Sequence, residues 1–223
     1  MVCIIATNRI WYEGMVEELR TITGYDFVLI NKKQDLSIDN LNKIKPKYIF
    51  FPHWSFIIPS EVYNNFECII FHMTDVPFGR GGSPLQNLIA RKIYETKISA
   101  LKCTKELDAG DVYLKYPLSL YGTAEEIYIR AANIIKLMIQ EIIQKDLYPI
   151  TQNGEIVTFR RRLPEEGNIA NLSELEQVFD YIRMLDAEDY PKAFLETKHF
   201  KFEFQRASLK NGFINADVKI TKK

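Results

Sequence analysis

Four short, unbroken apolar runs constrain this chain more than anything else in it. They are Val2–Ala6, Phe27–Ile30, the Tyr48–Phe51 part of the strand-like segment from Lys47 to Phe51, and Cys68–Phe71. Such runs suit strands buried on both faces, as in a parallel sheet covered by helices. Helix-compatible segments fall between them: Trp11 to Thr21, a short helix from a Ser37 cap to Ile44, and another capped by Ser60. This alternation predicts an α/β fold, a doubly wound, mostly parallel sheet.

Beyond Phe71 the pattern loosens. Gly79, Gly81 and Gly82 mark a glycine-rich turn leading into a helix from Leu85 to Lys92. Residues 97–104 alternate as a half-exposed strand should, 107–111 read as a turn, and Val112–Tyr116 as a further strand. Thr123 and Glu126 have capping-box spacing. They open a long helix whose stripe of Ile127, Ala131, Ile134, Ile135, Met138 and Ile142 runs to about Lys145. The character then changes. A strand at Ile156–Phe159, the basic run Arg160–Arg162, a helix capped by Ser173 and a hairpin turning at Asn211-Gly212 predict a small α+β appendage. The expected division is 1–150 for the main domain and 151–223 for the appendage.

The hydrophobic fraction of 47% is ample for a core, and 29 basic residues balance 29 acidic ones. That neutrality argues against a nucleic-acid partner, which usually meets a basic surplus. No run approaches the roughly 20 apolar residues of a membrane span, so no membrane partner is expected. Met1–Asn8 lacks a basic leader and reads as a first strand. Cys3, Cys68 and Cys103 show no metal spacing, and sparse thiols fit a cytoplasmic location.

Three histidines are present. His199 falls in the hairpin and reads as a surface residue, whereas His53 and His72 each leave the carboxyl end of an apolar run. Ligands of open α/β sheets bind at those ends, although a packed core histidine is the plainer alternative. Asp75 and Asp108 suit turns. Gly-Arg-Gly-Gly matches neither a P-loop nor a dinucleotide fingerprint, while Arg80 inside it suits an anion.

Two stretches resemble the folate-dependent formyltransferases. His72 followed by Pro77, Arg80-Gly81 and Pro84 resembles that family's His-x-Ser-x-x-Pro-x-x-Arg-Gly-x-x-Pro, with Thr74 at the serine position. Leu107-Asp108-Ala109-Gly110-Asp111 resembles its Leu-Asp-x-Gly-Asp loop, and Asp108 follows His72 by 36 positions, close to the family's separation. The resemblance covers most of residues 1–147 and implies a Rossmann-like core. It also implies that N10-formyltetrahydrofolate donates a formyl group to an amine. His72 would be the general acid/base and Asp108 would orient it. The folate would lie along His53, Trp54, Phe56 and Ile58 and along Cys103 to Leu107, with substrate near Asn8, Thr74, Arg80 and Gly81. The segment Ile182–Asp186, Tyr190-Pro191 and Ala193-Phe194 resembles the C-terminal region of sugar-nucleotide N-formyltransferases, among them those of pseudaminic (nonulosonic) acid biosynthesis. The implied substrate is a small amino-sugar nucleotide, with the methionyl-tRNA and glycinamide ribonucleotide formyltransferases as the alternative resemblance. Phe200, Phe202 and Phe204 alternate along the hairpin, which can serve as a homodimer interface or pack on the Ser173 helix.

One position departs from the family. Where it has Asn-x-His, this chain has Ile70-Phe71-His72. Isoleucine cannot donate to an oxyanion, and losing one such donor costs about 3–4 kcal/mol of transition-state stabilisation. His53 is the expected replacement and Thr74 a second candidate; loss of the donor in a non-catalytic binding relative is the alternative.

Overall fold

The computed structural model describes residues 1–12 and 14–223. Its strands are β1 Val2–Ala6, β2 Asp26–Ile30, β3 Tyr48–Phe51, β4 Cys68–His72, β5 Phe78–Gly81, β6 Glu95–Lys102, β7 Val112–Ser119, β8 Val157–Phe159, β9 Ala193–Glu196, β10 Phe200–Lys210 and β11 Phe213–Lys222. Its helices are α1 Met15–Thr23, α2 Ile38–Ile44, α3 Ser60–Tyr63, α4 Pro84–Ile89, α5 Ala124–Lys145 and α6 Leu175–Arg183. The central sheet has the order β2-β1-β3-β4-β6-β7. β2, β1, β3 and β4 run parallel, and β6 runs antiparallel to β4. The mixed α/β fold with a mostly parallel sheet is therefore as the apolar runs predict.

The chain forms two compact units. One comprises Met1–Arg80, Lys97–Leu118 and Ile129–Thr158; the other comprises Gly81–Thr96, Ser119–Tyr128 and Phe159–Lys223. The first holds the apolar strands. Ile4, Ala6, Ile49, Phe51, Cys68 and Cys103 pack into one buried cluster with Leu41 and Val62 from the flanking helices. The second holds the antiparallel sheet β11-β10-β9, on which α6 packs. Its buried Arg183 binds Asp180 at 2.7 Å and the carbonyls of Leu120 and Gly122 at 2.6 and 2.8 Å.

Several local expectations change. The first helix starts at Met15, after a separate 3-10 turn at Ile10–Tyr12. Ser37 caps α2 through Asn40 N, and the Thr123–Glu126 capping box is present. Ser60 is not a cap; it is the first residue of α3, whose capping position is Pro59. Ser173 is not one either, since Glu174 holds that position for α6. Part of the glycine-rich turn is the strand β5, paired with β8. The short β9 is an element that no local pattern announces.

Candidate active site

Side chains alternate along β4, so Cys68, Ile70 and His72 share one face. His72 ends the strand, 7% exposed. Its Nε2 lies 2.8 Å from the Gly79 carbonyl oxygen. A carbonyl only accepts, so Nε2 carries a hydrogen. Its Nδ1 lies 3.4 Å from Asp108 Oδ2. The two motifs seen in the sequence thus meet on one imidazole.

The loop that delivers Asp108 has a steric logic. Asp108 adopts φ 53°, a left-handed conformation that aspartate tolerates better than most residues. Two residues on, a Cβ at Gly110 would sit 1.8 Å from the Lys102 carbonyl oxygen. Only glycine lets the loop fold this tightly against β6. The Gly79 carbonyl is set by a similar device, with Gly79 at φ 78° and Gly81 at φ 102°.

Beneath this turn Thr74 is fully buried. Its hydroxyl donates to the Gly79 oxygen at 3.3 Å, and its own carbonyl accepts from Ser99 Oγ at 2.7 Å. Thr74 thus braces the turn from below, with no exposed surface of its own. Asp75 pairs with Lys97 and Lys115 at 2.9 and 2.6 Å, an ion-paired turn residue. Arg80 turns its Nε and Nη2 to Gln152 Oε1 at 3.1 and 2.8 Å.

His53 approaches from the neighbouring strand. The parallel pairing sets Phe51 opposite Ile70, and His53, two residues past Phe51, lies close enough to His72 to feel its charge. It too has a left-handed φ, 53°, which costs roughly 1–2 kcal/mol in a non-glycine residue. Its ring meets Trp11 edge-on at 5.9 Å between centroids, and Nδ1 lies 3.1 Å from the buried Tyr12 hydroxyl. Burial, then the charge of Arg9, then His72, lower its pKa to about 4. At neutral pH it is an uncharged imidazole. The Tyr12 hydroxyl can donate to Nδ1 or accept from it, according to which ring nitrogen carries the hydrogen. Tyr12 has no motif, so its part here was invisible in the sequence.

The expected folate segments share an apolar floor. Trp54, Ile58 and Ile70 are partly buried and pack on the cluster that contains Cys103. Trp54 also meets Phe51 and Phe56 edge-on, at 6.1 and 5.2 Å. Phe56 and Leu107 are exposed, at 41% and 77%, apolar surface of the kind that marks ligand grooves. The Cys103 thiol is pushed up to about 11, by burial first and then by the Asp108 carboxylate, so it is an inert packing group. Asn8, with Thr7, Arg9, Ile10, Leu29, Asn31 and Lys32, lines a cleft of about 440 Å³ at the carboxyl ends of β1 and β2. The charge of Arg9 in that cleft reaches His53. Two strand spacings, roughly 10 Å, separate β1 from β4. Among the described residues no group of three or more His, Cys, Asp or Glu side chains is placed to hold a metal.

Methionyl-tRNA formyltransferase from Clostridium thermocellum superposes along the whole of both chains with 49% identity and a TM-score of 0.97. The chain belongs to the folate-dependent formyltransferases. A family model described as the methionyl-tRNA formyltransferase C-terminal domain matches residues 164–221 of this formyltransferase. The methionyl-tRNA formyltransferase of Rickettsia felis is 30% identical over 144 residues, 61% of this chain and 48% of the relative. The chain thus spans about half the length of the curated relatives it matches. A sugar N-formyltransferase from a Shewanella species, at 17% identity, shares the fold with a TM-score of 0.68, covering 89% of this chain and 93% of that one. The formyl donor of the family is N10-formyltetrahydrofolate. No helix among the described residues is long and apolar enough to cross a membrane.

Proposed function

We propose that this formyltransferase moves a formyl group from N10-formyltetrahydrofolate to a primary amine, and that the amine is the one borne by methionyl-tRNA. The chemistry rests on one observation: His72 held between the Gly79 carbonyl and the Asp108 carboxylate. The amine nitrogen attacks the formyl carbon, a tetrahedral oxyanion forms, the carbon–N10 bond breaks, and the amine proton passes to N10. Nε2–H of His72 is anchored on Gly79, so Nδ1 and the facing carboxylate are the groups that accept and return the proton. At 3.4 Å the pair is within reach of a contact that tightens when substrates bind. His53, neutral and close enough to feel the charge of His72, would donate a ring N–H to the oxyanion in place of the missing asparagine.

The amine is argued from the relatives' names and from charge. The chain is neutral as a whole, yet residues 193–223, which form β9–β11, carry seven Lys and Arg against three Asp and Glu. Those three are ion-paired within the sheet: Glu196 with Lys223, Glu203 with Lys201, and Asp217 with Arg206. The remaining surplus is a local positive surface of the kind that meets phosphate backbones. The expectation of no nucleic-acid partner, drawn from net charge, gives way to this distribution.

A second reading is an amino-sugar nucleotide acceptor. The cleft of Asn8, Arg9, Asn31 and Lys32 supports it, because 440 Å³ and two cations suit a nucleoside diphosphate. The residues that suggested a sugar enzyme have a structural role of their own, since Asp186 accepts from Arg206 N at 2.7 Å and from Lys192 Nζ at 3.2 Å. One assay separates the readings. N10-formyltetrahydrofolate is offered with methionyl-tRNA or with nucleotide-linked amino sugars, and mass spectrometry follows the gain of a formyl group. Formylation of the sugar alone would overturn the tRNA reading; folate binding without transfer to any amine would overturn both.

A further inference from the structure

Gln152 lies outside both motifs, two residues past a β-bridge that joins Ile150 to Val112. Its carboxamide uses every hydrogen-bonding position it has. Nε2 donates to the carbonyl oxygens of Asp108 and Gly110, each at 2.8 Å. Oε1 accepts from Arg80 Nε at 3.1 Å and Nη2 at 2.8 Å. Carbonyls only accept and a guanidinium only donates, so the orientation of the amide has one solution.

The two segments it joins are those that hold His72. Arg80 follows Gly79, whose carbonyl receives Nε2–H, and Asp108 faces Nδ1. We propose that Gln152 is a positioning residue for formyl transfer, its carboxamide clamping the Asp108 loop to β5 so that both ring nitrogens of His72 stay in register. The inference rests on the formyl-transfer reading. A clamp of this kind acts on orientation, where a displacement near 1 Å can cost about a hundredfold in rate.

Two substitutions divide the clamp. Gln152→Leu removes all four hydrogen bonds. Gln152→Glu keeps an acceptor for Arg80 but replaces both donors with oxygen, facing the Asp108 and Gly110 carbonyls. In both variants kcat for formyl transfer should fall about 10- to 100-fold while KM for the folate stays within about twofold. In the ligand-free protein, the imidazole ¹⁵N signals of His72 should move and those of His199 should stay. Wild-type kcat in both variants, or unmoved His72 signals, overturns the clamp. Wild-type kcat in Gln152→Glu alone overturns the role of its donors. A matching loss of kcat and KM with a large drop in Tm would show a merely structural residue, which also overturns the proposal. Absence of turnover in the wild type would defeat the formyl-transfer reading, and the His72 signals would still decide whether the clamp exists.

Discussion

His53 and His72 follow the carboxyl ends of adjacent parallel strands, yet their surroundings differ in kind. His72 sits among oxygens, with a carbonyl at one nitrogen and a carboxylate near the other. His53 sits among aromatic rings beside the cation of Arg9, and its pKa falls to about 4. One imidazole is framed by hydrogen-bonding oxygens, and the other is held at zero charge near neutral pH. Residue type and strand position therefore do not set the role; the charge and wetness of the walls do.

The sharpest way to break this contrast is at Asp108. Asp108→Asn keeps the shape and removes the charge facing Nδ1, and turnover should drop about a thousandfold. Steady-state kinetics with saturating formyl donor measures it, and a loss below tenfold would mean that the carboxylate is not the proton partner. Next comes His53→Ala, expected to lower kcat about a hundredfold with folate affinity little changed. Adding Ile70→Asn to that variant should recover most of the loss, because the amide returns to the family's position. Failure of the double variant to recover would place the missing donor elsewhere.

Acid stability sharpens the same contrast. An unfolded chain protonates His53 near 6.5, while the folded site resists until about 4. His53 therefore contributes no pH dependence above about 6.5; stability declines as pH falls from there and levels off below about 4. The full span is up to about 3 kcal/mol. His53→Phe should flatten that part of the decline in urea unfolding between pH 7 and 4, and an unchanged slope would contradict the neutral-histidine picture. The smallest expected effect is Tyr12→Phe, which removes the hydroxyl at Nδ1 and frees the ring. A loss of about 1 kcal/mol of stability and a several-fold fall in kcat should follow; wild-type values for both would show that the Tyr12 contact does not hold the ring.

Legibility in the sequence followed the range of the interactions. The parallel strands were visible because each is a continuous apolar run. His72 and Asp108 were visible through the family motifs around them, and one offset in those motifs, Gly110, has a steric reason. β5 was hidden because Phe-Gly-Arg-Gly has little strand propensity, and only its pairing with β8, on the far side of α5, makes it a strand. Gln152 and Tyr12 were hidden for the same reason, since a single polar side chain acquires meaning only from a partner distant in the chain. Cys103 and Thr74 show the reverse limit: proximity to the motif was legible, but the degree of their burial was not.

The pairing of β5 with β8 also orders events in time. On the ribosome, β1 to β4 can emerge and pair while α5 is still being made, yet the carbonyl that holds His72 belongs to a strand whose partner comes after that helix. The Gln152 clamp arrives only slightly earlier. A nascent chain can therefore build its sheet before it owns a working imidazole. Competence for formyl transfer would appear late in synthesis, after residue 159 has left the exit tunnel, well behind the appearance of a stable core.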